Sequence, residues 1–200
     1  MASASPTPVP SCVALARRQR VERAFAELLR ALGQAPEGPL LDTPRRAAAL
    51  WTDHLLAGED RDLGALLGSG HPTTATSPIS VNDVGVHLLC SHHLTVAFGR
   101  AHVAYLPAGR VVGFTALAHL IEACTARFIL HEEASQSICN ALQAHLGVAA
   151  VVACIEAVHP CHNVMHPRSH AARAVGWAQR GPARATRELR QLLLAARRPQ

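Results

Sequence analysis

Residues 79–107 read ISVNDVGVHLLCSHHLTVAFGRAHVAYLP, and the interpretation of this stretch decides the fold. Two runs rich in Val, Leu and Ala, 79–89 and 94–106, have the composition of strands. Between them stands Cys90-Ser91-His92-His93, so a Cys-x-x-His pair sits where one strand hands over to the next. Downstream, Val148 to Val158 is an apolar, β-branched run that reads as a buried strand and ends on His159-Pro160-Cys161. Cys90, His93 and Cys161 together make a three-ligand set for zinc. Three protein ligands leave a fourth tetrahedral position for water, which is the pattern of a catalytic rather than a structural zinc. The arrangement points to a metal hydrolase; iron or manganese are alternatives, with two thiolates favouring a softer ion.

Working outward, Val13 to Leu32 carries Val21, Phe25, Leu28, Leu29 and Leu32 at helical spacing and stops near Gly33. Asp42-Thr43-Pro44 offers an N-cap and a first-turn proline for a second helix running to about Ala57, ended by Gly58. Residues 64–78, rich in Gly, Ser, Thr and Pro, read as a linker. Beyond the first two strands, Phe114 to Phe128 and Glu132 to Leu146 have helical patterns. A short strand near Ala171 to Trp177 and a helix from Ala183 to Arg197 close the chain. The order β-β-α-α-β-β behind N-terminal helices specifies an α+β fold, a four-stranded antiparallel sheet with two helices on one face. The expected organisation is a disordered N-terminus over 1–10, a helical extension with linker over 11–78, and a catalytic domain over 79–200.

Composition narrows the class. The chain has 200 residues, 49% of them hydrophobic, enough for one core with an extension. No run approaches the roughly 18 apolar residues of a membrane helix, and Met1 to Ser11 has no charged segment before an apolar one, so a cytoplasmic protein without membrane association is expected. The net charge is +5, and all 19 basic residues are arginine. They cluster from Arg17 to Arg46 and from Arg168 to Arg198, without the aromatic platform a nucleic-acid surface needs, so solvated helix faces are the reading and no nucleic-acid partner is expected. Six scattered cysteines do not form a disulfide framework, and reduced thiols are expected.

These segments resemble the GTP cyclohydrolase I family from Leu40 onward. Leu41-Asp42-Thr43-Pro44-Arg45-Arg46 is similar to the family's helix-opening segment, Cys90-Ser91-His92-His93 to its Cys-Glu-His-His, Ala104-Tyr105-Leu106-Pro107 to its tyrosine-containing strand end, and Glu156 to Cys161 to its second metal segment. The resemblance implies a tunnel fold, in which sheets from several subunits close a barrel. It also implies a homo-oligomer, commonly a toroidal decamer, with active sites between subunits. It implies zinc on Cys90, His93 and Cys161, with His92 and His159 as proton-transfer groups, since imidazole gives and takes protons near pH 7. The reaction implied is hydrolysis at C8 of a guanine ring, with Glu132 accepting hydrogen bonds from the guanine edge. Without the resemblance, Glu132 would read as a first-turn acid favoured by the helix dipole.

Departures from the family pattern are equally informative. The family's Ser-Lys-x-x-Arg, whose Lys and Arg hold the triphosphate, is here Thr115-Ala116-Leu117-Ala118-His119, and the arginine four residues after the last metal cysteine is Met165. Arg168 stands nearby as a substitute after a local shift. Arg46, taken in the family from a neighbouring subunit, remains. Ser91 replaces the family glutamate and His131 its glutamine. Since charge-assisted bonds are roughly twice as strong as neutral ones, loss of these cations weakens triphosphate binding severely. The expected substrate is therefore a guanine-type purine without a triphosphate, a base or nucleoside, in pterin or specialised metabolism. Two alternatives stand beside it: an ordinary enzyme making dihydroneopterin triphosphate from GTP, and a non-catalytic purine-binding or regulatory relative. His162, His166 and His170 are either a second metal cluster or residues of the pocket wall and surface.

Overall fold

The computed structural model describes residues 12–166, 168 and 172–196. The expected disordered segment 1–10, together with His170 and Ala171, lies outside the described residues. The chain forms two compact units, one up to His54 and one from Leu55.

In the first unit, α1 (Cys12–Ala31) ends before Gly33, whose φ of +75° suits glycine. Helix α2 (Thr43–Leu50) continues into a π-helical turn over Trp51–Leu55. Phe25 of α1 meets Trp51 edge to face at 5.4 Å, and Arg18 bonds Asp53 at 3.0 Å. Asp42 stands at the N-cap position as expected, but its side chain accepts no backbone N–H. Its backbone is helical there, and its carboxylate pairs with Arg46 at 3.2 Å and Arg45 at 3.4 Å. The Arg46 hydrogen bond, followed by the charge of Arg45, holds the Asp42 carboxyl below its usual range.

The second unit, from Leu55, takes in residues that the sequence reading assigns to the extension and linker, with Leu63 and Leu67 packed at its core. Leu55, Leu56 and Leu67 are buried. The supposed linker contains α3 (Leu63–Leu67), capped by Asp62, whose Oδ1 accepts from the N–H groups of Gly64 (2.9 Å) and Ala65 (3.1 Å). It also contains β1 (His71–Pro72), paired with β4 (Arg110–Val111).

Four antiparallel strands, β2 (Ile79–Leu89), β3 (Val96–Leu106), β5 (Ala150–Val158) and β6 (Ala174–Arg180), stand in the order β2-β3-β5-β6. Helices α4 (Phe114–Thr125) and α5 (His131–Ala141) cover one face, joining Leu117, Leu120, Ile121 and Ile138 to Val103, Tyr105, Ala153 and Ile155. Helix α7 (Ala183–Ala196) adds a layer on the other face, where Leu189 and Leu193 meet Ala104, Ala150 and Val152. Strand β5 lies between both layers, so its first six residues are buried without alternation, which explains its continuous apolar sequence. The last strand runs 174–180, later than expected, and α6 (Pro160–Met165) is a helix that the sequence reading lacks. The six cysteines form no disulfide among the described residues, and no helix among them is long and apolar enough to cross a membrane.

A bulge between Val81 and Val84 places Asp83 at φ 59°. The Asp83 N–H donates to Nδ1 of the fully buried His102 at 3.3 Å, and Nε2 of that ring lies 3.3 Å from the Glu156 carboxylate. An accepting Nδ1 puts the proton on Nε2, so the ring donates to Glu156 and joins the bulge to β5.

Candidate active site

The ends of β2 and β5 and the start of α5 converge on one cavity, and local hydrogen bonding explains how. After Leu89 the chain turns over Cys90 to Thr95. The Cys90 N–H donates to the Thr95 carbonyl and the Leu94 N–H to the Cys90 carbonyl, both at 2.9 Å, with Leu94 in the left-handed region at φ 55°. This tight turn buries Cys90 while leaving His92 and His93 exposed. Leu89 is also bonded on its outer edge: its N–H donates to the Arg127 carbonyl (3.0 Å), and the Ile129 N–H returns to the Leu89 carbonyl (3.2 Å). The segment leading into α5 is thereby tied to the strand that ends at Cys90.

At the start of α5, Glu133 accepts the Leu130 N–H at 3.4 Å, performing the acid half of a capping box. Leu130 has no side-chain oxygen to complete the box. With that role taken by Glu133, the neighbouring Glu132 lines the cavity. Strand β6 closes in from the other side at Gly176. A Cβ there would lie 2.9 Å from His131 Cδ2 and 3.1 Å from both the N and Cα of Glu132, so only glycine allows this approach. Ser135 fixes it further, its hydroxyl donating to the Gly176 carbonyl at 3.3 Å.

The cavity has a volume of about 440 Å³, in the range of small-molecule sites. Cys90, His92, His93, His131, Glu132, His159 and Cys161 all line it, which brings together seven residues singled out in the sequence. Thr115 is exposed on the first turn of α4 and does not line it, because α4 turns its Leu117, Leu120 and Ile121 face to the sheet. Arg46 belongs to the first unit, on α2, and the cavity is built from second-unit residues alone. His162 lines the cavity too. His166 is exposed with its ring 4.9 Å from that of His162. The pair gathers no third donor among the described residues, and His170, the other histidine of that run, lies outside them. Sequence reasoning missed Leu130, Asn163 and Arg173 in the lining. Arg168 is exposed and is not part of it.

The thiols of Cys90 and Cys161 and a ring nitrogen of His159 lie within 4.8 Å of one another. Among the described residues this is the sole group of three such donors, and His93, expected as the imidazole ligand, is outside it. His159 Nε2 is buried without a hydrogen-bond partner. Burial pushes the His159 pKa down, the neighbouring His131 and His162 push it further, and Glu132 opposes them, so the balance favours the neutral ring. A neutral imidazole with an unpartnered nitrogen beside two thiols is a donor set that fits zinc. The His131 ring stands 5.2 Å from that of His159, and its Nδ1 is 3.1 Å from the Glu132 carboxylate without hydrogen-bond geometry.

Comparison with known proteins bears on this arrangement. The family model described as GTP cyclohydrolase I matches residues 21–198. GTP cyclohydrolase 1 of Bacillus subtilis (strain 168) is 33% identical over 171 residues, covering 82% of this chain and 87% of that protein. GTP cyclohydrolase 1 of Streptococcus thermophilus (strain CNRZ 1066) is 31% identical over 183 residues, covering 90% and 97%. Among solved structures, the archaeosine synthase QueF-Like in the apo form aligns with a TM-score of 0.47 at 17% identity, over 55% of this chain and 99% of that one. With matches of this extent, the chain belongs to the GTP cyclohydrolase I family, hydrolases that act on a cyclic amidine carbon–nitrogen bond.

Proposed function

We propose that this chain hydrolyses the imidazole ring of a guanine-type purine at C8, and that its substrate lacks the triphosphate. The observation that carries the reading is the composition of the cavity. It joins two thiols and several imidazoles to a single carboxylate, with Met165 in its lining where the family sequence pattern has an arginine; elsewhere in the sequence, Ala116 and His119 stand where that pattern has a lysine and an arginine.

Cys90 and Cys161 would hold zinc together with one imidazole. The ion, when bound, supplies Lewis acidity and brings the pKa of water to near 7. The family pattern assigns the third ligand to His93, which is exposed on the turn and lines the cavity, and keeps His159 for proton transfer beside His92. Proximity in this structure favours His159 as the ligand instead. Zinc content decides between them: His93→Ala loses metal and His159→Ala keeps it on the first assignment, and the reverse holds on the second. Glu132 accepts from N1–H and the 2-amino group of the base, with His131 beside it in the cavity wall to contact the substrate. His92 transfers the proton that the departing ring nitrogen requires. Thr115 and Arg46 serve, on this reading, across subunit boundaries of a toroidal homo-oligomer in the cytoplasm.

GTP itself is the second reading, favoured by the names of the relatives. Against it stands the loss of permanent cations, since each charge-assisted bond to phosphate contributes on the order of 1.5–3 kcal/mol. The test of catalysis is His92→Ala, in which ring-opened product disappears while zinc content matches the parent. Unchanged turnover would remove His92 from the mechanism and favour a binding role for the family site.

A further inference from the structure

Charge in the cavity is distributed unevenly. Of the described residues that line it, Arg173 is the one permanent cation and Glu132 the one carboxylate. The remaining polar groups are chiefly imidazoles, which are not fixed charges at neutral pH. Arg173 also lines a second, smaller cavity of about 240 Å³, whose other residues include Phe98, Arg100 and Glu156. It therefore stands at the junction of the two. The other charges there are compensated: Arg100 bonds Asp83 at 3.1 Å, and Glu156 faces His102. Arg173 makes no ion pair among the described residues and is exposed, just ahead of β6.

We propose that Arg173 is a specificity-determining residue that binds one phosphate group of the substrate, so that the purine taken by this chain is a nucleoside monophosphate. The proposal rests on the purine reading above and narrows it. A cavity whose described lining holds one carboxylate and one guanidinium suits a ligand with a donor edge and a single anionic end. A phosphate monoester carries about −1.5 to −2 charges at pH 7, and the guanidinium fork meets two of its oxygens at once. A triphosphate carries more charge than one guanidinium balances, and desolvating the excess beside an apolar wall is costly. A bare nucleoside would leave Arg173 unused. Sequence patterning did not reveal this cation because it lies twelve residues beyond Cys161, on the approach to β6 rather than on the helices or the metal segments.

Isothermal titration calorimetry of the zinc-loaded full chain with GMP, guanosine and GTP tests the proposal on the parent, Arg173→Ala and Arg173→Lys. Parent protein is expected to bind GMP at least tenfold more tightly than guanosine and more tightly than GTP. Arg173→Ala should weaken GMP binding about 10- to 100-fold, bringing the GMP-to-guanosine ratio near one, with zinc content and melting temperature matching the parent. Arg173→Lys should restore part of the ratio, and in the parent the ratio should fall with added salt. A ratio that Arg173→Ala leaves unchanged, with both ligands still binding, overturns the role of Arg173 and leaves the purine reading standing. Failure of the parent to bind any of the three overturns the purine reading and this proposal with it.

Discussion

Replacing Gly176 by alanine should damage stability and the site together. The added Cβ would sit 2.9 Å from the His131 ring and 3.1 Å from two backbone atoms of Glu132. A ring edge can turn aside, but the first turn of α5 cannot move without disturbing the Ser135 bond to the Gly176 carbonyl and the buried Ile138 beyond. Overpacking of this kind costs about 1–3 kcal/mol. Loss of backbone freedom in the unfolded chain returns about 0.4–1 kcal/mol, leaving a net loss of about 0–2.6 kcal/mol, with about 1–2 kcal/mol expected because the contacts include backbone atoms. For a unit of this size that corresponds to a melting temperature lower by about 2–8 °C. The internal control is Gly85→Ala on β2, where an added Cβ meets nothing within 4 Å, so the same substitution should be neutral or slightly stabilising. Thermal unfolding followed by circular dichroism measures both. Purine affinity should fall with Gly176→Ala, since the displaced atoms carry Glu132. Equal melting temperatures for the two variants would refute the reasoning.

Two further outcomes follow from buried titratable groups. His102→Ala leaves the Asp83 N–H without its acceptor and Glu156 without the ring donor inside the sheet, so urea unfolding should show a loss of about 2–4 kcal/mol; a loss under about 1 kcal/mol would contradict the assigned tautomer and its role. Burial pushes the thiols of Cys124 and Cys139 from 9.0 up to about 12. A raised thiol pKa means that the native state holds the proton longer than the unfolded one, so their contribution to stability is complete below pH 9 and is lost as pH rises from about 9 towards 12. Stability measured across that window should decline, and Cys124→Ser with Cys139→Ser should flatten the decline; a decline identical in the double variant would contradict it.

Elements governed by strong periodicity were legible in the sequence. Strands β2, β3 and β5 and helices α1, α4, α5 and α7 follow from apolar patterning, and the two metal-competent segments from residue type alone. Short elements were not: α3 and β1 lie in a stretch whose Gly, Ser and Thr content signals a loop, and their order comes from the Asp62 cap and from pairing with a strand some 40 residues away. Helix α6 is a single turn and a half opened by Pro160, too short to show a period. Asp42 shows the limit of local rules, because a residue with a good capping side chain is drawn instead to Arg45 and Arg46. Within the site, sequence supplied the donors and the structure supplied their distances. It groups His159, and not His93, with the two thiols within 4.8 Å and sets Arg173 into the wall.

The most direct test of the account is a side-by-side turnover assay. Zinc-loaded protein is incubated separately with GTP, GMP, guanosine and guanine, and the products are identified by mass spectrometry. The account predicts a ring-opened pyrimidine from a purine without the triphosphate, GMP foremost, at a rate at least tenfold above any product from GTP, the factor expected from losing even one charge-assisted phosphate bond. Dihydroneopterin triphosphate formed from GTP at a comparable or higher rate would contradict it.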